Sequence, residues 1–85
     1  MKITNVKITW KNPNQEENLK GMANITLDES LVINGIKIFN GKKGLFISMP
    51  QIKNEKKNEY HDLCFPITKE FREYLSDTIL ENFNK

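Results

Sequence analysis

The sequence predicts an α+β domain, an antiparallel β-meander of about five strands followed by a C-terminal amphipathic helix. Apolar and polar residues alternate over most of residues 1–65, which is the period of strands that bury one face. From Thr68 onward apolar residues recur every three or four positions, which is the period of an amphipathic helix. Because the strands come first and the helix last, we expect the helix to cover one face of the sheet.

The first two strands are predicted on either side of a polar loop. Val6, Ile8 and Trp10 keep period two, whereas Ile3 is out of phase with them and indicates a bulge near the start. Turn formers and charged residues fill residues 11–18, which we expect to be an exposed loop. The second strand has five small or apolar residues on one face: Leu19, Gly21, Ala23, Ile25 and Leu27.

The third and fourth strands are predicted to form a hairpin. Residues 31–39 are rich in β-branched side chains, and Asn34-Gly35 within them indicates either a bulge in one strand or a turn between two short ones. We favour one bulged strand. The glycine-flanked segment 40–44 is then a tight turn into the fourth strand. Pairing should end at Pro50, which has no N–H to donate.

The last part of the chain is predicted as a loop, a short strand and the helix. Residues 51–59 have the composition of a polar, lysine-bearing loop, and residues 60–65 that of the fifth strand. Thr68 is a suitable N-cap for a helix that ends near Phe83. Four apolar residues spaced four apart give this helix its buried face: Phe71, Leu75, Ile79 and Phe83.

The size of the chain predicts one domain that gains buried surface from a partner. A domain of 85 residues has a thin core, and its only cysteine, Cys64, allows no intramolecular disulfide. Trp10, Met22, Val32 and Phe46 cannot all lie on the side that one helix covers. We therefore expect a homodimer, formed most simply by strand pairing across a twofold axis.

Charge and hydropathy constrain function only weakly. The formal net charge is +2 at pH 7, with the basic excess in residues 1–50, which is less than the field that would by itself indicate nucleic-acid binding. The opening segment reads as a strand and has neither a long apolar stretch nor a cleavage site. The expectation is a cytoplasmic protein without a membrane-spanning segment.

An enzyme is not predicted. His61 and Cys64 invite comparison with a metal pair or a nucleophile and its base, but residues three apart in a strand point to opposite faces. Asp62 would complete only a poor zinc site, so we expect a buried structural Cys64 and a surface His61 instead. No dinucleotide-binding, Walker, GxSxG or HExxH motif is present. Two acidic pairs lie in predicted turns: Glu16-Glu17 and Asp28-Glu29. We expect no cofactor, metal or small-molecule substrate.

Lysines in the two connections that flank the fourth strand are the candidate binding residues. If both connections emerge at neighbouring points of the sheet, their ammonium groups would face a phosphate backbone together, and nearby rings would stack on or hydrogen-bond a base. The alternative is that acids in the second connection neutralise its lysines locally. The predicted nucleic-acid-binding residues are Lys42, Lys43, Lys53, Lys56, Lys57, Tyr60 and His61.

Three stretches in order resemble the SpoVG family, stage V sporulation protein G, a group of small bacterial septation and sporulation regulators. They are MKITNVKI at residues 1–8, ANITLDESLVINGIKIFNGKKGLFISMP at 23–50 and YHDLCFPIT at 60–68. The resemblance covers nearly the whole chain. It implies an antiparallel sheet with a C-terminal helix, dimerisation through strand pairing, and site-selective DNA and RNA binding in the regulation of gene expression and division.

The chain departs from the pattern of this family at several positions. The family's basic patch, a serine followed by two basic residues after Met-Pro, becomes residues 51–53 here, and only Lys53 matches. His61 replaces an arginine and Phe65 replaces a histidine. The chain ends at Lys85, without the acidic tail of many members. These departures suggest a divergent short member, and they keep open a second function, a protein-interaction module that has lost nucleic-acid binding.

Overall fold

The computed structural model describes residues 1–84, which form six strands and one helix. The elements are β1 (Ile3–Lys11), β2 (Leu19–Leu27), β3 (Leu31–Gly41), β4 (Gly44–Ser48), β5 (Gln51–Asn54), β6 (Glu59–Asp62) and α1 (Lys69–Phe83). Strands β1 to β4 form an antiparallel sheet in the order β1-β2-β3-β4, and β5 and β6 form a separate hairpin. The α+β prediction, with an antiparallel meander before the helix, is confirmed.

The segment after Pro50 differs from the prediction. Residues 51–54, expected in a loop, form β5, and β6 ends at Asp62, so residues 63–65 are not part of a strand. A short turn joins β5 to β6 and brings the two strands together. In this turn the Asn54 side-chain oxygen accepts a hydrogen bond from the Lys56 N–H at 3.1 Å. Backbone hydrogen bonds between two adjacent strands form without burial of their side chains, and seven of the eight residues in β5 and β6 are exposed.

β1 carries two bulges, at Thr4 and Thr9. The first confirms the irregularity predicted near the start of the strand. The second adds one residue before Trp10, which therefore pairs with Met22 on the opposite face from Ile8. The prediction that Trp10 shares the buried face of Ile8 was wrong, because a one-residue shift turns a strand side chain to the other side.

β3 remains one strand and contains the expected bulge at Asn34-Gly35. Ile33 pairs with Ile25 of β2, and Ile36 pairs with Ala23, so three residues of β3 oppose two of β2. Gly35 has φ +81, a conformation that side chains disfavour. Its N–H donates to the Asn24 side-chain oxygen at 3.3 Å, so the extra residue leaves this donor satisfied.

The core lies between one face of the sheet and α1. Eight residues are buried there: Ile3, Ala23, Ile25, Leu27, Ile36, Ile38, Leu75 and Ile79. The Thr68 hydroxyl accepts from the Phe71 N–H at 3.2 Å, which confirms the predicted N-cap. The Tyr74 hydroxyl accepts from the Ile3 N–H at 3.0 Å and so attaches α1 to β1. Within residues 1–84, no helix has the length and apolar content required to cross a membrane.

The turn between β2 and β3 holds two acidic residues in the left-handed region. Asp28 and Glu29 have φ values of 50° and 54°, and the Ser30 N–H donates to the Leu27 carbonyl at 2.9 Å, as in a type I′ turn. Glycine occupies such a position without the steric cost of Cβ. We expect Glu29→Gly to raise the free energy of unfolding by about 0.5–1 kcal/mol, measured by urea denaturation. Glu29→Gln keeps the Cβ and should give no gain; an equal gain would assign the effect to charge.

Candidate nucleic-acid interface

Lys42 and Lys43 form the tip of the β3–β4 hairpin. They are the two residues between Gly41 and Gly44, which pair with each other, and both lysines are exposed. Gly44 has φ +116, which a side chain would disfavour. The two adjacent ammonium groups therefore project from the end of the sheet on a tight turn.

Lys53, Lys56 and Lys57 belong to the β5–β6 hairpin, hereafter the arm (residues 51–62). Lys53 pairs with Tyr60 across the arm, and its ammonium nitrogen lies 6.0 Å from the centre of the Tyr60 ring, at the outer limit of a cation–π contact. Lys56 and Lys57 lie in the turn of the arm and are exposed. The arm thus presents a lysine-bearing tip and one exposed tyrosine ring.

Tyr60 and His61 point to opposite faces of the arm, because they are adjacent in β6. Tyr60 shares a face with Lys53, whereas His61 lies opposite Ile52. The His61 Nε2 is 3.6 Å from the Glu59 Oε2, and both side chains are 58% exposed. This contact is an ion pair only when the imidazole is protonated, and at that exposure it is weak. One ligand surface therefore meets Tyr60 or His61, not both.

The two lysine groups lie beyond opposite ends of β4. Lys42 and Lys43 precede the first residue of β4, and the arm begins after its last. At 3.2–3.4 Å per residue, the five residues of β4 span about 15 Å. The condition that both connections emerge at neighbouring points of the sheet is not met within one chain, which instead carries two separate basic patches.

The acids of the arm do not pair with its lysines. Asp62 accepts a hydrogen bond from the Gln51 side chain at 2.8 Å, and Glu59 lies beside His61. In the described part of the chain, residues 1–84, that contact is the single ion pair. All the same, the arm contains as many acids as lysines, so its net charge is small and its lysines act at short range only.

Cys64 lies two residues beyond the end of β6 and is half-buried, whereas we predicted a buried position within a strand. It lines an apolar groove of about 510 Å³ between the first half of α1 and the sheet, together with Ile33, Phe65 and Phe71. His61 is exposed on the arm, as predicted. Among residues 1–84, no three His, Cys, Asp or Glu side chains are grouped as metal ligands would be.

The sequence pattern of the SpoVG family matches residues 1–85. The chain belongs to the SpoVG family. A relative from Phytoplasma australiense is 39% identical over 83 residues, which cover 98% of this chain and 83% of the relative. Relatives from Fusobacterium nucleatum and Bdellovibrio bacteriovorus are 35% and 36% identical, over 98% and 100% of this chain and 88% and 75% of their own lengths. All three are named as the septation protein SpoVG.

Within this SpoVG-family chain, Gln51 and Ile52 occupy the positions where the resemblance places a serine and a basic residue. The Gln51 amide binds Asp62 across the base of the arm. Ile52 is 57% exposed opposite His61. Neither residue carries a charge, so Lys53 is the only cation that β5 itself contributes.

The charges of this SpoVG-family chain divide between the sheet and the helix. Strands β1 to β4 contain four lysines and no Asp or Glu: Lys7, Lys11, Lys20 and Lys37. The helix carries four acids against Lys69 and Arg72: Glu70, Glu73, Asp77 and Glu81. The sequence indicated the basic excess of the first half, but its location on the sheet was not predicted. The signal that would have located it is the lack of acids in every strand of the main sheet.

Proposed function

We propose that this protein is a small nucleic-acid-binding regulator that works as a homodimer in a process linked to septation. The observation that carries the proposal is that the β3–β4 turn and the arm carry five lysines that form no ion pair with a carboxylate within residues 1–84. Tyr60 adds a ring that is 63% exposed beside the Lys53 ammonium group. Unpaired cations next to an exposed aromatic ring are suited to phosphates and a base. The names of the relatives supply the link to septation.

The separation of the two patches limits how a ligand binds. A nucleic acid that contacts both patches of one chain must extend past β4 and along the arm. A shorter ligand contacts one patch, or two patches from different chains of a dimer. The unpaired edges of the main sheet are β1 and β4, and pairing at either edge would bring a second set of lysines into the same assembly.

Replacing the five lysines of the β3–β4 turn and the arm by alanine should weaken nucleic-acid binding about tenfold or more. Removing one phosphate contact should flatten the plot of log affinity against log salt by about 0.9 for duplex DNA. The measurement is fluorescence anisotropy with a labelled DNA duplex and a labelled RNA at several salt concentrations. Light scattering on the protein without nucleic acid gives its mass and tests the homodimer.

The matched control is Lys69→Ala, which removes a lysine from the acidic helix and should leave affinity and salt slope unchanged. Unchanged binding after the fivefold replacement would overturn the assignment of the site. If the unmodified protein binds neither nucleic acid at low salt, the proposed function is wrong, and the protein-interaction module, with the apolar groove as its exposed surface, becomes the better interpretation.

A further inference from the structure

The face of the main sheet that points away from α1, hereafter the open face, carries large apolar side chains that the helix does not cover. The register places five of them there: Trp10, Met22, Val32, Phe39 and Phe46. Trp10 is 42% exposed, Val32 56% and Phe46 49%. Apolar surface held in contact with water on a regular sheet indicates a binding surface.

Two of these side chains present aromatic rings at opposite sides of the open face. Trp10 lies on β1, and Phe46 lies on β4, with its ring nearly parallel to that of Phe39 at a centroid distance of 5.7 Å. The Phe39 ring thus packs against the Phe46 ring, which remains half-exposed. Since three strand spacings separate β1 from β4, Trp10 and Phe46 are about 14 Å apart across the sheet.

The charge on the open face has one sign. Trp10 on β1 pairs with Met22 on β2, and Met22 pairs with Lys37 on β3. The three side chains therefore form one row across the open face. Lys7 lies on the same face one row away, opposite Asn24. Both lysines are exposed, and the strands contribute no carboxylate. A surface with exposed rings and cations alone is complementary to an anionic ligand with flat apolar groups.

We infer that the open face binds single-stranded nucleic acid, with bases stacked on Trp10 and Phe46 and phosphates next to Lys7 and Lys37. The inference rests on the proposed function and specifies the form of the ligand. A duplex keeps the faces of its bases inside its own stack, whereas a single strand offers them to aromatic side chains on a protein surface. Stacking accepts any base, so this face adds affinity with little sequence preference.

Trp10 is the only tryptophan in the chain, so tryptophan emission reports directly on this face. The experiment titrates the full chain with an oligothymidylate of about 12 nucleotides and, separately, with a duplex of the same length. Anisotropy of a label on the nucleic acid is recorded in the same samples. Saturable quenching of Trp10 by the single strand, with much weaker quenching by the duplex, is the expected result.

Substitutions of Phe46 test the second stacking position. Phe46→Ala should weaken single-strand binding about tenfold, and Phe46→Tyr, which keeps an aromatic ring, should restore it. Ile67→Ala is the matched control, because Ile67 is 88% exposed but lies outside the open face and both lysine groups, and it should bind as the unmodified protein does. Because these side chains are exposed, circular dichroism should show folded protein for every variant.

The outcomes separate this inference from the proposed function. Binding seen by anisotropy without a change in Trp10 emission, and undiminished in Phe46→Ala, would overturn the inference and leave the proposed function standing. Tighter binding of the duplex than of the single strand would overturn it equally. An absence of binding to either ligand would overturn the inference, and it would overturn the proposed function as well if the labelled RNA also failed to bind.

Discussion

Ile38→Ala is expected to lower the free energy of unfolding by about 2–5 kcal/mol, a large part of the 5–15 kcal/mol typical of a small domain. Ile38 is fully buried in β3, an interior strand with paired neighbours on both sides. Its direct neighbours on the helix-covered face are Gly21 and Ile47. Because both ladders fix the backbone around this position, the cavity left by the truncated side chain cannot collapse.

The measurement is urea denaturation followed by circular dichroism at several protein concentrations, since association would add its own stabilisation. Ile38→Val, which removes one methylene, should cost about 1 kcal/mol. Val32→Ala removes apolar volume from the same strand at an exposed position and should cost less than about 1 kcal/mol. Equal losses for Ile38→Ala and Val32→Ala would contradict the placement of the core on the helix-covered face.

The main sheet and the helix could be predicted because burial imposes their periodicities. In β2, the small and apolar residues at every second position from Gly21 to Leu27 are the buried ones. In α1, the residues four apart include the two that are fully buried, Leu75 and Ile79. Where one face of an element is excluded from water, the amino-acid pattern must match the geometry of that element.

The arm could not be predicted in the same way, because its strands bury almost nothing. With seven of eight residues exposed, no alternation of apolar and polar residues is imposed on either strand. The local signal is limited to the turn, where Asn54 accepts from the Lys56 N–H and Asn58 adopts φ 53. Asparagine is favoured at both kinds of position, so the pair of asparagines around the two lysines was the available evidence for a hairpin.

The position of Trp10 was not predictable from periodicity either. Threonine is an ordinary strand residue, so nothing in the sequence marks Thr9 as the bulge that turns Trp10 to the open face. The separation of the two lysine patches, in contrast, was deducible. Connections at the two ends of one strand leave a sheet at opposite ends, and Lys43 and Lys53 flank β4 in this way.

Gly21→Ala is expected to cost about 3 kcal/mol, near the upper end for overpacking in a well-packed interior. A Cβ at Gly21 would lie 2.7 Å from the Phe83 Cε1 and 2.8 Å from the Trp10 carbonyl oxygen. The Phe83 ring can move aside only by giving up its packing at the end of the helix. The Trp10 carbonyl belongs to the β1 backbone next to the Thr9 bulge, so relieving that clash requires β1 to shift relative to β2.

A comparison of two glycines separates these contributions. At Gly41 the added Cβ would also meet a phenylalanine ring, at 2.9 Å from the Phe46 Cε1, but this ring is half-exposed and can turn toward water. We therefore expect Gly41→Ala to cost less than about 1 kcal/mol in the same urea denaturation assay. In a double-mutant cycle, Phe83→Leu should recover only part of the loss caused by Gly21→Ala, because the clash with the carbonyl remains. Full recovery would show that the ring alone excludes a side chain at Gly21 and that β1 is free to adjust.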